Sequence, residues 1–278
     1  MEFRKINLKP FGLIINANQP GDQIHSLKIN DLKTLIKTEH LIVLRGFQTF
    51  QGADDLSKYC EQWGKICYWP FGAVLELEEH TQAQDHIFDS NYVPLHWDGM
   101  YRKQIPEFQV FQCIQAPPKG SGGQTTFANT SLAIRNSSAK ELALWKKVTG
   151  TYQRKMEFYD SKTVSPVITD HPFRGYKVIR YNEPPSEKYG HFINPPMLDF
   201  QGIEEKQLES FHLSLQNALR SSESFYAHEW HTGDIVISDN FTLLHGREAF
   251  VSRAPRHLRR VHVLSDPPFE NPALKAYT

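Results

Sequence analysis

The sequence predicts a mainly β protein, a sandwich or jelly roll carrying peripheral helices. Three observations lead there. Roughly the last 50 residues alternate apolar and polar in short runs, Asp234–Asp239, Thr242–His245 and His257–Val263, with turn signals between them. Helical periodicity is confined mostly to the N-terminal half and to segments between strands, a distribution that places helices outside a sheet core. The length of 278 residues suits one unit, because sandwiches and barrels commonly run to roughly 200–250 residues as one domain. No repeat, low-complexity tract or linker divides the chain, so residues 1–278 are expected to form a single domain.

The elements follow in order. From Asp22 to Ile36 the residues Ile24, Leu27, Ile29, Leu32 and Leu35 recur at mostly helical spacing, which predicts one helix or two short ones. Leu41–Leu44 is a short apolar run closed by Arg45-Gly46, a buried strand. Helical spacing returns over Asp54–Trp63, and Gly64 stops it. Glu107–Ile114, rich in aromatic and branched residues, reads as a central strand. After the turn-rich loop Pro117–Gly123 comes a strand at Thr125–Phe127; Lys140–Val148 and Ile203–Leu219 read as helices. Between those two lies the polar, proline-containing stretch Tyr152–Pro196, long enough to be an insertion or lid.

Composition removes several function classes. Basic and acidic residues number 31 each, for a formal net charge of zero, so no global field draws the chain to nucleic acid or an anionic membrane. With 40% hydrophobic and 12% aromatic residues the chain has the means to build a core. No run of about 20 apolar residues occurs, and Met1–Pro10 carries charges where a signal peptide needs its apolar stretch, so a soluble cytoplasmic protein is expected. Cys60, Cys67 and Cys113 are odd in number, lack a C-x-x-C spacing and sit in apolar segments; they read as buried free thiols.

The sharpest local feature is Leu95-His96-Trp97-Asp98-Gly99. Positions two apart on a strand share a face, so His96 and Asp98 can offer an imidazole and a carboxylate to one point. Far downstream, His245 at the end of an expected strand is a candidate third ligand. Two histidines and one carboxylate leave adjacent positions open on an iron, the facial arrangement of non-haem Fe(II) oxygenases; a structural zinc site would need a fourth protein ligand. His228 and His231 rival His245, but their spacing is not that of zinc hydrolases, and they read as strand-edge histidines. Arg256 and Arg260 share a strand face with Leu258, whereas His257 and Arg259 point the other way. A guanidinium facing inward needs a partner, and its fork fits a carboxylate. The same arginines with Arg253 and Arg259 could form a basic patch, but no aromatic platform interleaves them.

These residues carry a family resemblance. His96-Trp-Asp98, Gly122-Gly-Gln-Thr125, Gly233-Asp234 with Asp239-Asn240, His245-Gly-Arg247, and Arg256 with Arg260 stand in the order of the taurine dioxygenase/TfdA-like family of Fe(II)- and 2-oxoglutarate-dependent oxygenases. The resemblance spans about Leu41 to Val263 and implies a double-stranded β-helix, the TauD-like jelly roll. It further implies that His96, Asp98 and His245 bind Fe(II), that Arg256 and Thr125 hold the distal carboxylate of 2-oxoglutarate, with O₂ as second co-substrate, and that Arg260 holds an anionic substrate.

Longer stretches, Trp69–Leu77, Asn91–Tyr101 and Pro106–Phe111 among them, are similar to the PvcB-type, isonitrile-tailoring members. That similarity implies a tyrosine isonitrile as small-molecule substrate, an isonitrile synthase as pathway partner, and desaturation or oxidative decarboxylation to a vinyl isonitrile, in secondary-metabolite biosynthesis. A hydroxylase of another small anion, such as a sulfonate or amino acid, is the alternative. Tyr92 stands where taurine dioxygenase has an Asn contacting taurine; Tyr92, Phe71 and Tyr101 are expected to wall a phenol ring. Homo-oligomerisation is left open by the sequence.

Overall fold

The computed structural model describes residues 3–157, 159–186 and 192–277. Seven strands form the larger sheet: β1 (Arg4–Asn7), β2 (Leu13–Asn16), β3 (Leu41–Arg45), β4 (Val74–Leu77), and further along the chain β6 (Gln104–Gln115), β14 (Ile235–Asp239) and β16 (His257–Glu270). Their spatial order is β1-β2-β3-β14-β6-β16-β4. The smaller sheet has four, β5 (Val93–His96), β7 (Thr125–Asn129), β13 (Phe225–His228) and β15 (Leu243–Arg247), in the order β13-β7-β15-β5.

Alternation along the strands builds three cores. Leu41 and Val43 of β3, Phe111 and Cys113 of β6, Val236 and Leu258 turn inward and meet Phe127 and Leu243 of the smaller sheet. That is the interior of a sandwich, and the jelly-roll expectation is met. The odd-even partners Ile42, Leu44, Phe108, Val110, Ile235 and Ile237 cover the outer face of the larger sheet. There they bury α1 (Ile29–Glu39) through Leu32 and Ile36, and α2 (Ala53–Glu61) through Leu56, Tyr59 and Cys60. Each such side chain contributes about 1.5–3 kcal/mol by leaving water.

On the far side of the smaller sheet, Leu95, Trp97, Ala128 and Leu244 pack against α3 (Thr130–Asn136), α4 (Ala139–Trp145) and α5 (Glu205–Leu219). Asn129 caps α3 with its side-chain oxygen, and Ser138 with Glu141 forms a reciprocal capping box at α4.

The stretch expected as an insertion carries three strands and the end of a fourth. β8 (Thr149–Met156) runs into it, and β9 (Tyr159–Pro166), β10 (Ile168–Asp170) and β11 (Lys177–Ile179) lie within it. β12 (Met197–Gln201) and β17 (Leu274–Tyr277) complete a second four-stranded sheet, β12-β8-β9-β17. Phe158 and residues 187–191 of this stretch lie outside the described residues. Cys60, Cys67 and Cys113 are free and buried, and no helix among the described residues is long and apolar enough to cross a membrane.

Candidate metal centre and its two cavities

His96 ends β5 and His245 lies in β15, and the two are directly opposed across the antiparallel pair. Their rings sit 4.2 Å apart, centroid to centroid. The chain leaves β5 at once, and Asp98 follows in the turn. Gly246 lets the strands meet: a Cβ there would stand 2.5 Å from the Val93 carbonyl oxygen. Ligand atoms of His96, Asp98 and His245 lie within 4.8 Å of one another, and among the described residues no other trio of His, Cys, Asp or Glu does so. The rival histidines go elsewhere. His228 Nε2 lies 3.2 Å from Asp234, which also takes two bonds from Arg45, while the His231 backbone caps the same carboxylate.

Protonation suits a cation. His96 Nδ1 donates to the Pro94 carbonyl at 2.9 Å, which leaves the Nε2 lone pair for a ligand bond. Burial lowers the pKa of His96, and that of His245 falls further because burial and neighbouring His96 act together. Burial alone would raise the Asp98 carboxyl, yet Arg260, His245 and His262 hold it well below the usual carboxylate range. The donor set, two neutral imidazoles and one carboxylate without a fourth protein ligand, fits an Fe(II) with open positions.

The surrounding shell was not anticipated. Asn240 accepts the Asp98 backbone N–H at 3.0 Å and donates to the Asp98 carbonyl at 2.9 Å, fixing the turn. On Asp98 Oδ2 converge Gln109 Nε2 at 2.6 Å, His262 Nε2 at 2.8 Å and Arg260 Nη1 at 2.9 Å. The signal for His262 was present in the sequence: it continues the two-residue alternation Leu258, Arg260, His262. Gln109 stands out as a polar residue inside the apolar central strand.

Two cavities flank the triad. The narrower, about 440 Å³ with its open mouth, is lined by His96, His245, Phe111, Thr125, Arg256 and Arg260. Arg256 is buried; its Nε donates to the Gly123 carbonyl at 2.9 Å and its guanidinium lies 5.6 Å from the Phe250 ring centroid. Among the described residues it has no carboxylate within 4.0 Å, and burial followed by nearby Arg247 pushes its pKa down to about 9. A buried cation facing a cleft without an anion is a site for one. Thr125 Oγ1, which accepts the Trp230 indole N–H at 3.1 Å, lines the same cleft.

The wider cavity, about 860 Å³ with its mouth, is walled by Trp69, Phe71, Tyr101, Tyr159, Arg154 and Phe192, with His96, Asp98 and Arg260 at the metal end. Phe71 stacks on Trp69, and Tyr101 stacks on Tyr159 at 5.8 Å. Tyr92 does not join them. The ion pair of buried Glu183 with half-buried Arg220 captures its hydroxyl, and Tyr92 borders a separate polar pocket. The expectation that Tyr92 walls the substrate is therefore corrected.

A family model for the taurine catabolism dioxygenase TauD, TfdA family matches residues 7–262. The chain belongs to the TauD/TfdA family. Among curated relatives of this TauD/TfdA member, tyrosine isonitrile desaturase of Pseudomonas aeruginosa is 46% identical over 269 residues, covering 97% of this chain and 92% of the relative. The enzyme of the same name from Erwinia amylovora is 45% identical over 261 residues, 94% and 89% of the two chains. The crystal structure of PvcB from Pseudomonas aeruginosa superposes with a TM-score of 0.85 at 42% identity, covering 99% of this chain and 95% of that one. PvcB is described as an Fe, alpha-ketoglutarate dependent oxygenase from an isonitrile synthetic pathway.

Proposed function

We propose that this TauD/TfdA-family chain is an Fe(II)- and 2-oxoglutarate-dependent oxygenase that desaturates a tyrosine-derived isonitrile. The observation that carries this is the division of space around one triad: an anion cleft at Arg256 on one side and an aromatic cavity on the other. The desaturases at 45–46% identity give the substrate class. His96, Asp98 and His245 hold Fe(II), which with 2-oxoglutarate and O₂ supplies a two-electron oxidation and leaves succinate, CO₂ and water.

The chain's own residues supply position and charge. Arg256 and Thr125 hold the distal carboxylate of 2-oxoglutarate, with the Phe111 and Leu258 side chains excluding water beside it. Trp69, Phe71, Tyr101 and Tyr159 enclose the phenol ring. Arg260 lines both cavities, so an anionic substrate group on it keeps the Cα–Cβ bond near the metal end. The substrate loses two electrons. Either one hydrogen leaves each of Cβ and Cα, giving the α,β-unsaturated acid, or a Cβ hydrogen leaves with the carboxylate as CO₂, giving the vinyl isonitrile. An isonitrile-forming enzyme must act earlier. The unpaired cysteines fit a reducing cytoplasm, and within the stretch 152–196 the residues Arg154, Tyr159 and Phe192 act as a cover of the aromatic cavity.

The test is mass spectrometry after incubation of the protein with tyrosine isonitrile, Fe(II), 2-oxoglutarate and O₂. Loss of two hydrogens, or of one hydrogen together with the carboxyl group as CO₂, is expected. His96→Ala and Asp98→Ala should abolish it. Product gaining one oxygen, or activity surviving in either variant, would refute the assignment.

A further inference from the structure

We propose that His262 is a positioning residue of the metal centre, locked by Trp69 as the Nε2–H tautomer so that it fixes the orientation in which the Asp98 carboxylate faces His96 and His245. This rests on the triad named under the proposed function. An indole N–H only donates. Trp69 Nε1 lies 3.2 Å from His262 Nδ1, so Nδ1 carries a lone pair and the ring proton is on Nε2. Nε2 in turn lies 2.8 Å from Asp98 Oδ2 and donates to it.

The same oxygen has two more partners. Gln109 faces its amide nitrogen to Asp98 because Ser238 donates to its Oε1 at 2.8 Å. Gln109 and His262 are register partners on β6 and β16, so sheet pairing places both donors together. Arg260 Nη1 stands 2.9 Å from the same oxygen as an ion pair. Two hydrogen bonds and an ion pair on Oδ2 fix the plane of the carboxylate. Oδ1 lies 3.8 Å from His96 Nε2 and Oδ2 lies 3.6 Å from His245 Nε2, so the carboxylate held in this orientation faces both histidines.

Trp69 also walls the aromatic cavity, stacked on Phe71 and lying under the Arg102 guanidinium at 4.3 Å. A ring held in that cavity touches a residue two hydrogen bonds from the metal ligand. The backbone secures the link, since the Cys67 N–H donates to the His262 carbonyl at 2.9 Å. His262 thus couples occupancy of the cavity wall to the orientation of Asp98.

Two measurements test this without turnover. Long-range ¹H–¹⁵N correlation on metal-free, ¹⁵N-histidine-labelled protein, assigned with His262→Gln, should show His262 as the Nε2–H tautomer in wild type and as a tautomer mixture in Trp69→Phe. Mn(II) titration without co-substrate should show affinity about 10–100-fold weaker in His262→Ala, the range for lost partners of metal ligands. His262→Gln, whose amide N–H reaches like Nε2–H, should restore it to within about threefold. Thermal melts check that each variant folds. An Nδ1–H tautomer in wild type, unchanged Mn(II) affinity in His262→Ala, or a folded His262→Gln as weak as His262→Ala would overturn the proposal. Wild type that binds no Mn(II) would overturn the triad itself, and the positioning role with it.

Discussion

Replacing Arg256 by Met should weaken 2-oxoglutarate binding severely while making the ligand-free protein more stable. The guanidinium is buried, bonded to one carbonyl and without a carboxylate partner among the described residues. Its charge therefore costs stability until an anion arrives. Removing one member of a buried hydrogen-bonded charge pair costs about 2–5 kcal/mol of binding. At about 1.4 kcal/mol per tenfold, that is a loss of roughly 30-fold to a few thousand-fold in affinity.

Stability moves the other way. Apolar replacement of an unfavourable buried charge returns roughly 1–4 kcal/mol, less about 1 kcal/mol for the orphaned Gly123 carbonyl. For a chain of this size a net gain of about 0–3 kcal/mol raises the melting midpoint by up to roughly 6 °C. Calorimetric titration of 2-oxoglutarate into the Mn(II) form, and a melt of the metal-free form, read the two effects separately. Affinity within about threefold of wild type would show that Arg256 is not the anchor. A melting midpoint lowered by several degrees would show that its role is structural.

Other outcomes follow from neighbouring residues. Gly122→Ala should destabilise by more than about 3 kcal/mol in denaturant unfolding, because at φ +82° its Cβ would lie 2.1 Å from the Ala249 carbonyl oxygen; Gly123→Ala, whose Cβ meets Arg256 Cδ at 3.0 Å, should raise the 2-oxoglutarate Kd about tenfold. Burial, then Asp239, lifts the Glu107 carboxyl to about 7 despite Arg174. A raised folded-state value means the folded protein binds the extra proton between about pH 4.5 and 7, so stability falls as pH rises through that window. Glu107→Gln should match wild type near pH 4.5 and exceed it by up to about 2 kcal/mol at pH 8, allowing for solvent screening; a pH-independent difference would refute this. The thiols of Cys60, Cys67 and Cys113 are buried, and burial raises each pKa. A thiol reagent at pH 8 should label none quickly in the native protein and all three after unfolding.

The sequence displayed elements whose buried faces are apolar and hid those whose buried faces are not. Leu41–Leu44 is visible because every side chain is aliphatic, and the structure extends it by one residue to Arg45. β9 is invisible for the opposite reason. Its buried positions are Tyr159, Ser161, Thr163 and Ser165, and its polarity reads as loop. The hydroxyls of Ser161 and Thr163 are satisfied by the carbonyls of Tyr101 and Met100, which lets hydroxylated residues line an interior. The run from His257 was expected to stop at Val263, before Pro267 and Pro268, but β16 continues to Glu270. Register shifts after Val263 and Leu264 absorb the prolines while pairing with β6 resumes at Ile105. The triad was legible as residue types in order; Tyr92 was misplaced because nothing local reveals that Glu183 and Arg220, far along the chain, compete for its hydroxyl.

One short segment concentrates the chemistry. Arg256 just before β16, then Leu258, Arg260 and His262 within it, turn toward the interior, while His257 and Arg259 both bind Glu76 on the opposite face. The bulge between His257 and Leu258 sets this phase, pairing Leu258 with Cys113 and His262 with Gln109. A slip of one residue would turn Arg256, Arg260 and the Asp98 donor His262 outward together. Zero net charge across the chain is thus compatible with a strongly cationic site, because strand register rather than composition decides which arginines face in. The Glu76 pairing on the outer face acts with the bulge: it gives the alternate residues a partner that they would lose in the slipped register.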